Sequence, residues 1–243
     1  MSNREIERKF KIISKSSVNT LGKILEEKLG FIFVKKVVQK DIYFDTKNYT
    51  IINLKRGLRL RNSSGNLSLE YKSLFCSDSG KFFVEEINLV KTNKVRVGLL
   101  YQILNVRHNL ALPVDLNGFI ETNKVEKYLK SLGLIEAVTL QKTRIDYTNA
   151  NKNCTISIDN IDNIGNFIEI EVKSDETLLD DLIKTLKGVK DLSLKESKEG
   201  YINLLFSSNP KINSSEVFDK RFREKHDWNV LPTERDLVKI LIQ

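Results

Sequence analysis

The sequence has little of the material that several common protein classes require. Of its 243 residues only three are proline and eleven are glycine, which argues against a linker-rich or turn-dense architecture. Its two cysteines, Cys76 and Cys154, form no CxxC pair or ligand-spaced cluster. A disulfide scaffold is therefore not indicated, and free thiols in a reducing compartment are expected. The two histidines, His108 and His226, are isolated, which argues against a histidine-built zinc site or a histidine-based triad. No apolar run reaches the length of a bilayer-spanning helix, and the polar N-terminus lacks a secretory apolar core. A cytoplasmic protein with no membrane partner is the expectation.

Charge, by contrast, is plentiful. Charged residues make up 30% and hydrophobic residues 40% of the chain, with a formal net charge of +8. That composition suits a globular protein. Its sign favours polyanionic partners: nucleic acid, phosphorylated small molecules or an acidic surface. The lysines are scattered rather than clustered. The length accommodates one barrel-type domain, or one domain with an appendage.

Strand after strand repeats one arrangement. Side chains alternate between the two faces of a strand. In Glu5-Ile6-Glu7-Arg8-Lys9-Phe10 the residues Glu5, Glu7 and Lys9 share a face, opposite Ile6 and Phe10. In VVQKDIYFDT, Gln39, Asp41 and Tyr43 share one. GLRLRNSSGNLSLEYKS reads as a hairpin about Ser63-Ser64-Gly65-Asn66. Arg59 and Arg61 lie together on its first strand, and Glu70 and Lys72 on its second. KFFVEEINLV is a further strand. LQKTRIDYT groups Lys142, Arg144 and Asp146. CTISIDNIDNIGNFIEIEVKS groups Thr155, Ser157 and Asp159, then Phe167, Glu169, Glu171 and Lys173. Amphipathic helices are expected at LGKILEEKLGF and LLDDLIKTLKG, with mainly helical structure over residues 92–137.

One solvated face explains any single strand of this kind. The ensemble is harder to explain so, because the amphipathic helices are suited to cover the aliphatic faces. The charged faces then turn inward, and closing the sheet gives a barrel with a polar lumen. Buried charges of both signs need partners. A polyanion would satisfy the lysines and arginines, and metal ions the carboxylates.

These residues resemble the CYTH superfamily, which contains class IV adenylyl cyclases, thiamine triphosphatases and inorganic triphosphatases. Glu5-Ile6-Glu7-Arg8-Lys9 fits the ExExK signature. Gln39-Lys40-Asp41-Ile42-Tyr43-Phe44-Asp45 resembles the second-strand motif, and Arg59-Leu60-Arg61 the paired-arginine strand. Lys72 fits the lysine after the hairpin, and Lys142-Thr143-Arg144 the later KxR pair. Asp159 and Gly165-Asn166-Phe167-Ile168-Glu169-Ile170-Glu171 fit the D…GxFxExE segment. The pieces fall in the family order with consistent strand parity.

The resemblance implies an α+β fold: a closed eight-stranded antiparallel β-barrel, a tunnel with a charged lumen and helices packed outside. Its domain would cover residues 1–206, with a C-terminal helical extension over 207–243. It implies Mg²⁺ or Mn²⁺ and a small-molecule triphosphate as substrate. Lys9, Arg59, Arg61, Lys72, Lys142, Arg144 and Lys198 would cradle the triphosphate. Glu7, Glu86, Asp159, Glu169 and Glu171 would hold metal, with Glu5, Glu7 and Lys9 nearest the chemistry. The usual RxE strand reads Val84-Glu85-Glu86 here, and Glu86 is favoured over Glu85 as the inward residue.

The activity implied is metal-dependent hydrolysis of a triphosphate: inorganic tripolyphosphate, a nucleoside triphosphate or thiamine triphosphate. The alternative is a class IV adenylyl cyclase. Bacterial cyclases of the family carry a His-Phe pair before the acidic signature, and this chain opens MSNREIE. The only tryptophan, Trp228, lies outside the resemblance, which weakens a thiamine platform. An RNA 5′-triphosphatase, or a binder that holds polyphosphate without catalysis, completes the set. The extension would close a tunnel end, pack on the barrel or mediate a homodimer; the sequence leaves these open.

Overall fold

The computed structural model describes residues 5–13, 16–53, 56–76, 82–108, 118–173, 175–189, 192–197 and 200–208. Strand β1 (Glu5–Ile12) is followed by helix α1 (Ser16–Lys23), β2 (Ile32–Asp45), α2 (Thr50–Asn53), β3 (Arg56–Ser63), β4 (Asn66–Cys76) and β5 (Phe82–Asn88). Then come β6 (Val90–Lys91), β7 (Lys94–Arg96), α3 (Val97–His108), β8 (Phe119–Glu121) and α4 (Val125–Ser131). The chain continues with β9 (Ile135–Thr148), β10 (Cys154–Ile161), β11 (Gly165–Lys173), α5 (Glu176–Lys187), β12 (Leu194–Ser197) and α6 (Tyr201–Ser208).

The main sheet is antiparallel, in the order β11-β10-β9-β2-β3-β4-β5-β1-β12, and β1 also pairs with β11. One edge of β1 meets β11 over Glu5 to Ile12. The other meets β5 over Glu5 to Glu7 and β12 over Lys9 to Ile12. The fold is thus a β-rich α+β architecture. A second, three-stranded sheet of β6, β7 and β8 lies within residues 90–121. The sequence reading expected helix there; Val95 is buried in the α3 cluster, so these short strands serve packing rather than any amphipathic period.

Local chemistry sets the turns. The β3–β4 hairpin turns on Ser64 and Gly65, with φ of 49° and 92°. Two successive positive-φ residues make the turn whose twist matches the flanking strands. Asp45, fully buried, accepts hydrogen bonds from the Ile51 and Ile52 amides at 2.9 and 2.8 Å. It thereby ties α2 to the end of β2. Asp175 caps α5 by accepting from the Leu178 amide at 3.0 Å.

The aliphatic faces are covered in two patches. Ile6, Phe10, Ile156, Ile158, Ile168, Ile170 and Val172 pack with Leu21 and Leu25 and with Leu179, Ile183 and Leu186 of α5. Phe44, Leu58, Leu60, Leu69, Tyr71 and Ile87 pack beneath α3 and α4 through Leu99, Leu100, Ile103, Leu104 and Leu129. Burying one such side chain contributes about 1.5–3 kcal/mol, so these patches decide which face of each strand is turned away from the helices.

Candidate functional site

The register decides which side chains share the face opposite those patches. Glu7 lies across from Glu171, and Lys9 across from Glu169. Glu169 is also across from Ser157, and Phe167 from Asp159. Asp159 faces Arg144, and Ile161 faces Lys142. Lys142 faces Gln39, Asp41 faces Arg61, and Tyr43 faces Arg59. Arg59 faces Glu70, and Lys72 faces Glu86. Parity is kept across all of these pairings. It also answers the Glu85 or Glu86 question in register terms: Glu86 shares the Lys72 face, whereas Glu85 pairs with Ser73.

Charges of opposite sign are threaded along that face. Arg61 grips Asp41 with its Nε and Nη2 atoms, each at 2.7 Å. Arg59 donates to Glu70 at 2.6 Å and to Glu86 at 3.3 Å. Lys72 Nζ lies 3.9 Å from Glu86 and 3.7 Å from Glu7. Lys9 Nζ lies 3.4 Å from Glu7 and 3.0 Å from Glu169. Arg144 joins Glu169 to Asp159. Asp159, fully buried, accepts from Lys142 at 2.9 Å, Arg144 Nε at 2.7 Å and the Tyr201 hydroxyl at 2.9 Å.

These contacts set the protonation states. Burial works against the charge of Glu169, but Lys9, Arg144 and Lys142 hold it well below the usual carboxylate range. Burial likewise opposes Asp41, and the Arg61 fork with the Arg59 charge outweighs it, bringing its pKa down to about 2. Lys9 keeps its proton against burial because Glu169 and Glu7 flank it. Lys142 is the exception. Burial and the Arg144 charge push it down to about 8, with Asp159 opposing.

Farther along the same face the charges give way to apolar groups. Tyr43, Leu140, Ile161 and Phe167 form a cluster with Tyr201, and Ile202, Leu204 and Leu205 of α6 pack on it. The Tyr201 ring stands edge-on to Phe167, with centroids 5.3 Å apart, and Lys9 Nζ sits 4.0 Å from the Tyr201 centroid. One helix, α6, therefore packs on the charged side of the sheet rather than outside it, because its tyrosine carries a hydroxyl that Asp159 can satisfy.

The CYTH domain family model matches residues 3–199. The chain belongs to the CYTH domain family. A Methanocaldococcus jannaschii protein provisionally named adenylate cyclase is 24% identical over 207 residues, covering 82% of this chain and 97% of that one. Among solved structures, the PH1819 protein of Pyrococcus horikoshii OT3 superposes with a TM-score of 0.58 at 19% identity. That match covers 84% of this chain and 99% of the other. A Hippeastrum protein described as an adenylyl cyclase candidate with a dominant triphosphatase activity superposes with a TM-score of 0.56 at 17% identity. It covers 84% of this chain and 95% of its own. At such identities the structures support the fold alone.

Within this CYTH chain, Glu7, Lys9, Arg59, Arg61, Lys72, Glu86, Lys142, Arg144, Asp159 and Glu169 join one connected ion network. Glu171 is on the same face by register with Glu7. Glu5 is on it too, by backbone register with Lys173. Lys198 lies outside the described residues, as do residues 209–243 of the expected extension. The sequence reading placed no site role on Glu70, Asp41 or Tyr201. Glu70 was detectable, since it shares a strand face with Lys72; Asp41 lies on a strand with no expected site residue, and the β2–β3 register is what sets it against Arg61. Tyr201 follows the candidate late lysine Lys198 in the sequence, but its contact with Asp159 spans 42 positions and comes from the fold.

The carboxylates also bear on the metal that the family implies. Among the described residues no three His, Cys, Asp or Glu side chains converge as a ready-made cage. Mg²⁺ does not require one, since it commonly takes one or two carboxylates and completes its shell with phosphate oxygens and water. The donor chemistry fits: Glu7 and Glu171 are directly opposed across β1 and β11, which sets two hard oxygen donors on one face.

Proposed function

We propose that the eight strands β11, β10, β9, β2, β3, β4, β5 and β1 close into a tunnel in which a triphosphate is hydrolysed with the help of Mg²⁺ or Mn²⁺. The observation that carries this reading is the unbroken alternation of cations and carboxylates on one face, from Arg61 and Asp41 through Glu7 and Lys9 to Arg144 and Asp159. A binder of polyanions alone gains nothing from Glu7, Glu169 and Glu171, which repel the ligand. A phosphoryl-transfer site gains from both signs, because the reaction is governed by positioning and charge neutralisation.

In this account Arg59, Arg61 and Arg144 present guanidinium forks to phosphate oxygens, with Lys9, Lys72 and Lys142 as point charges. Lys198 is proposed for the same group on the family resemblance alone. Glu7, Glu86, Glu169 and Glu171 would hold the cation, with Glu5 beside them. When bound, the divalent ion neutralises charge and polarises phosphoryl oxygens. Asp159 is proposed for the metal on the family resemblance; in the resting structure its oxygens accept from Arg144, Lys142 and Tyr201, so it also positions those side chains. The resting ion pairs hold the arginines extended across the face, so binding exchanges carboxylate partners for phosphate rather than ordering free side chains.

The apolar cluster under α6 supports a tunnel that admits ligand from the other end. Lumen-facing positions on β2 become steadily more exposed in that direction, from Tyr43, Asp41 and Gln39, all buried, through Val37 to the exposed Lys35. A terminal phosphate would enter first and be attacked by water. Cyclase chemistry instead requires a ribose hydroxyl to reach the innermost ester phosphorus, and the family relatives include proteins named for it.

The test is phosphate release from tripolyphosphate, ATP and thiamine triphosphate, with Mg²⁺ or Mn²⁺ and with a chelator. The expected result is release that chelation abolishes. Release indifferent to chelation, or none from any substrate, would remove the reading.

A further inference from the structure

Most of the buried polar side chains along the charged face have a partner in the ion network, but one buried acceptor there does not. Gln39 is 5% exposed, and its Oε1 atom has no hydrogen-bond partner among the described residues. Its backbone position lies across from Lys142 on β9 and Ser63 on β3, between the Arg61 and Arg144 strands. It is also the last fully buried residue of its face before β2 opens toward Val37 and Lys35. A buried acceptor without a donor costs about 1–3 kcal/mol, so its retention asks for a donor that arrives from elsewhere.

A triphosphate chain cannot supply one. Its oxygens are acceptors, and they would repel a carbonyl oxygen placed among them. Besides solvent, the donor that a substrate can bring is a hydroxyl on the group esterified to the phosphates. That group is expected at this position, since the apolar cluster and α6 occupy the other end of the face. We infer that Gln39 is a specificity-determining residue whose amide oxygen accepts a hydrogen bond from a hydroxyl on the organic part of the substrate, next to the phosphate chain. The inference rests on the triphosphate reading. It narrows the substrate class to hydroxylated organic triphosphates and demotes inorganic tripolyphosphate. A site built around a substrate hydroxyl rejects analogues that lack it, because its own polar group is then left unpaired.

The experiment compares ATP, 2′,3′-dideoxy-ATP and tripolyphosphate on the wild type and on Gln39→Met, which keeps the length of the side chain and removes its amide. The wild type should prefer ATP over the dideoxy analogue by about tenfold in kcat/KM. In Gln39→Met that ratio should fall to about one, and the loss on ATP should exceed the loss on tripolyphosphate by a similar factor. An equal loss on all three substrates would overturn the inference, for the amide would then be donating to phosphate. So would a wild type that does not distinguish ATP from its dideoxy analogue, a comparison that stands even if the variant does not fold. Thermal stabilisation by the same three ligands separates the two levels of the argument. A wild type that hydrolyses none of them, yet is stabilised more by ATP than by dideoxy-ATP, would end the hydrolase reading and leave the role of Gln39 standing.

Discussion

Glu7 of β1 and Glu171 of β11 are cross-strand partners, two carboxylates set directly against each other on the charged face. Opposed like charges weaken a sheet, an effect that Lys9 and Lys72 beside Glu7 offset only in part, and functional sites commonly carry such a cost. Replacing Glu171 by Gln should therefore leave the fold intact and leave the melting temperature of the metal-free protein unchanged or higher. Activity should largely disappear. Mg²⁺ with a triphosphate stabilises wild type by about 2.7 kcal/mol at a hundredfold excess over Kd, and should stabilise the variant less. A thermal-shift titration of both proteins checks this; identical ligand-induced shifts would place Glu171 outside the site.

Arg61 makes a two-pronged contact with Asp41 that a phosphate group can take over. Removing the fork with Arg61→Ala discards charge-assisted bonds of about 1.5–3 kcal/mol each, so kcat/KM should fall by about tenfold or more. Arg61→Lys should recover only part of it, lacking the planar fork. Steady-state kinetics on the two variants decide the matter. Full activity in Arg61→Ala would show that β3 does not meet the substrate.

Lys142 supplies a charge that is lost as pH rises through about 8. Burial and the neighbouring Arg144 bring it to about 8, so it is cationic below that value and neutral above. Because kcat/KM reports the free enzyme, it should decline as pH rises through about 8. Lys142→Arg stays charged, and its profile should lose that decline even if its absolute rate is lower. A decline retained in the arginine variant would assign the titration elsewhere.

Asp41 is one of the carboxylates that contribute to stability in acid. Its pKa in the folded protein is about 2, against 3.8 ordinarily; the folded state therefore favours the ionised form. The contribution is present in full above the ordinary value and is lost as pH falls from about 4 toward 2. It amounts to about 2 kcal/mol. Urea unfolding at pH 5 and pH 3 should show wild type losing more stability on acidification than Asp41→Asn. Equal losses would mean that the Arg61 grip is absent in solution.

How far the sequence could be read depended on the range of the signal. The charged and aliphatic faces of β1, β3, β4, β10 and β11 follow from a period of two, and every expected pairing of neighbours such as Arg59 with Arg61 holds in the register. The hairpin at Ser64 and Gly65 was written in its turn residues. The small β6–β8 sheet was not, because its strands are two or three residues long and carry no measurable period. The contacts of Asp159 were also hidden. Sequence gives a carboxylate on the right face, but only the fold brings Tyr201 and Arg144 to its oxygens. For the same reason Gln39 read as one polar residue among several until the structure showed its buried amide oxygen without a hydrogen-bond partner among the described residues.

The central claim is that water attacks the terminal phosphorus of a triphosphate held against this charged face. It is tested most directly by turnover of ATP with Mg²⁺ in ¹⁸O-enriched water, followed by ³¹P NMR. The account predicts orthophosphate carrying one ¹⁸O atom from solvent, with unlabelled ADP. Unlabelled pyrophosphate with cyclic AMP would contradict it and establish the cyclase reaction instead.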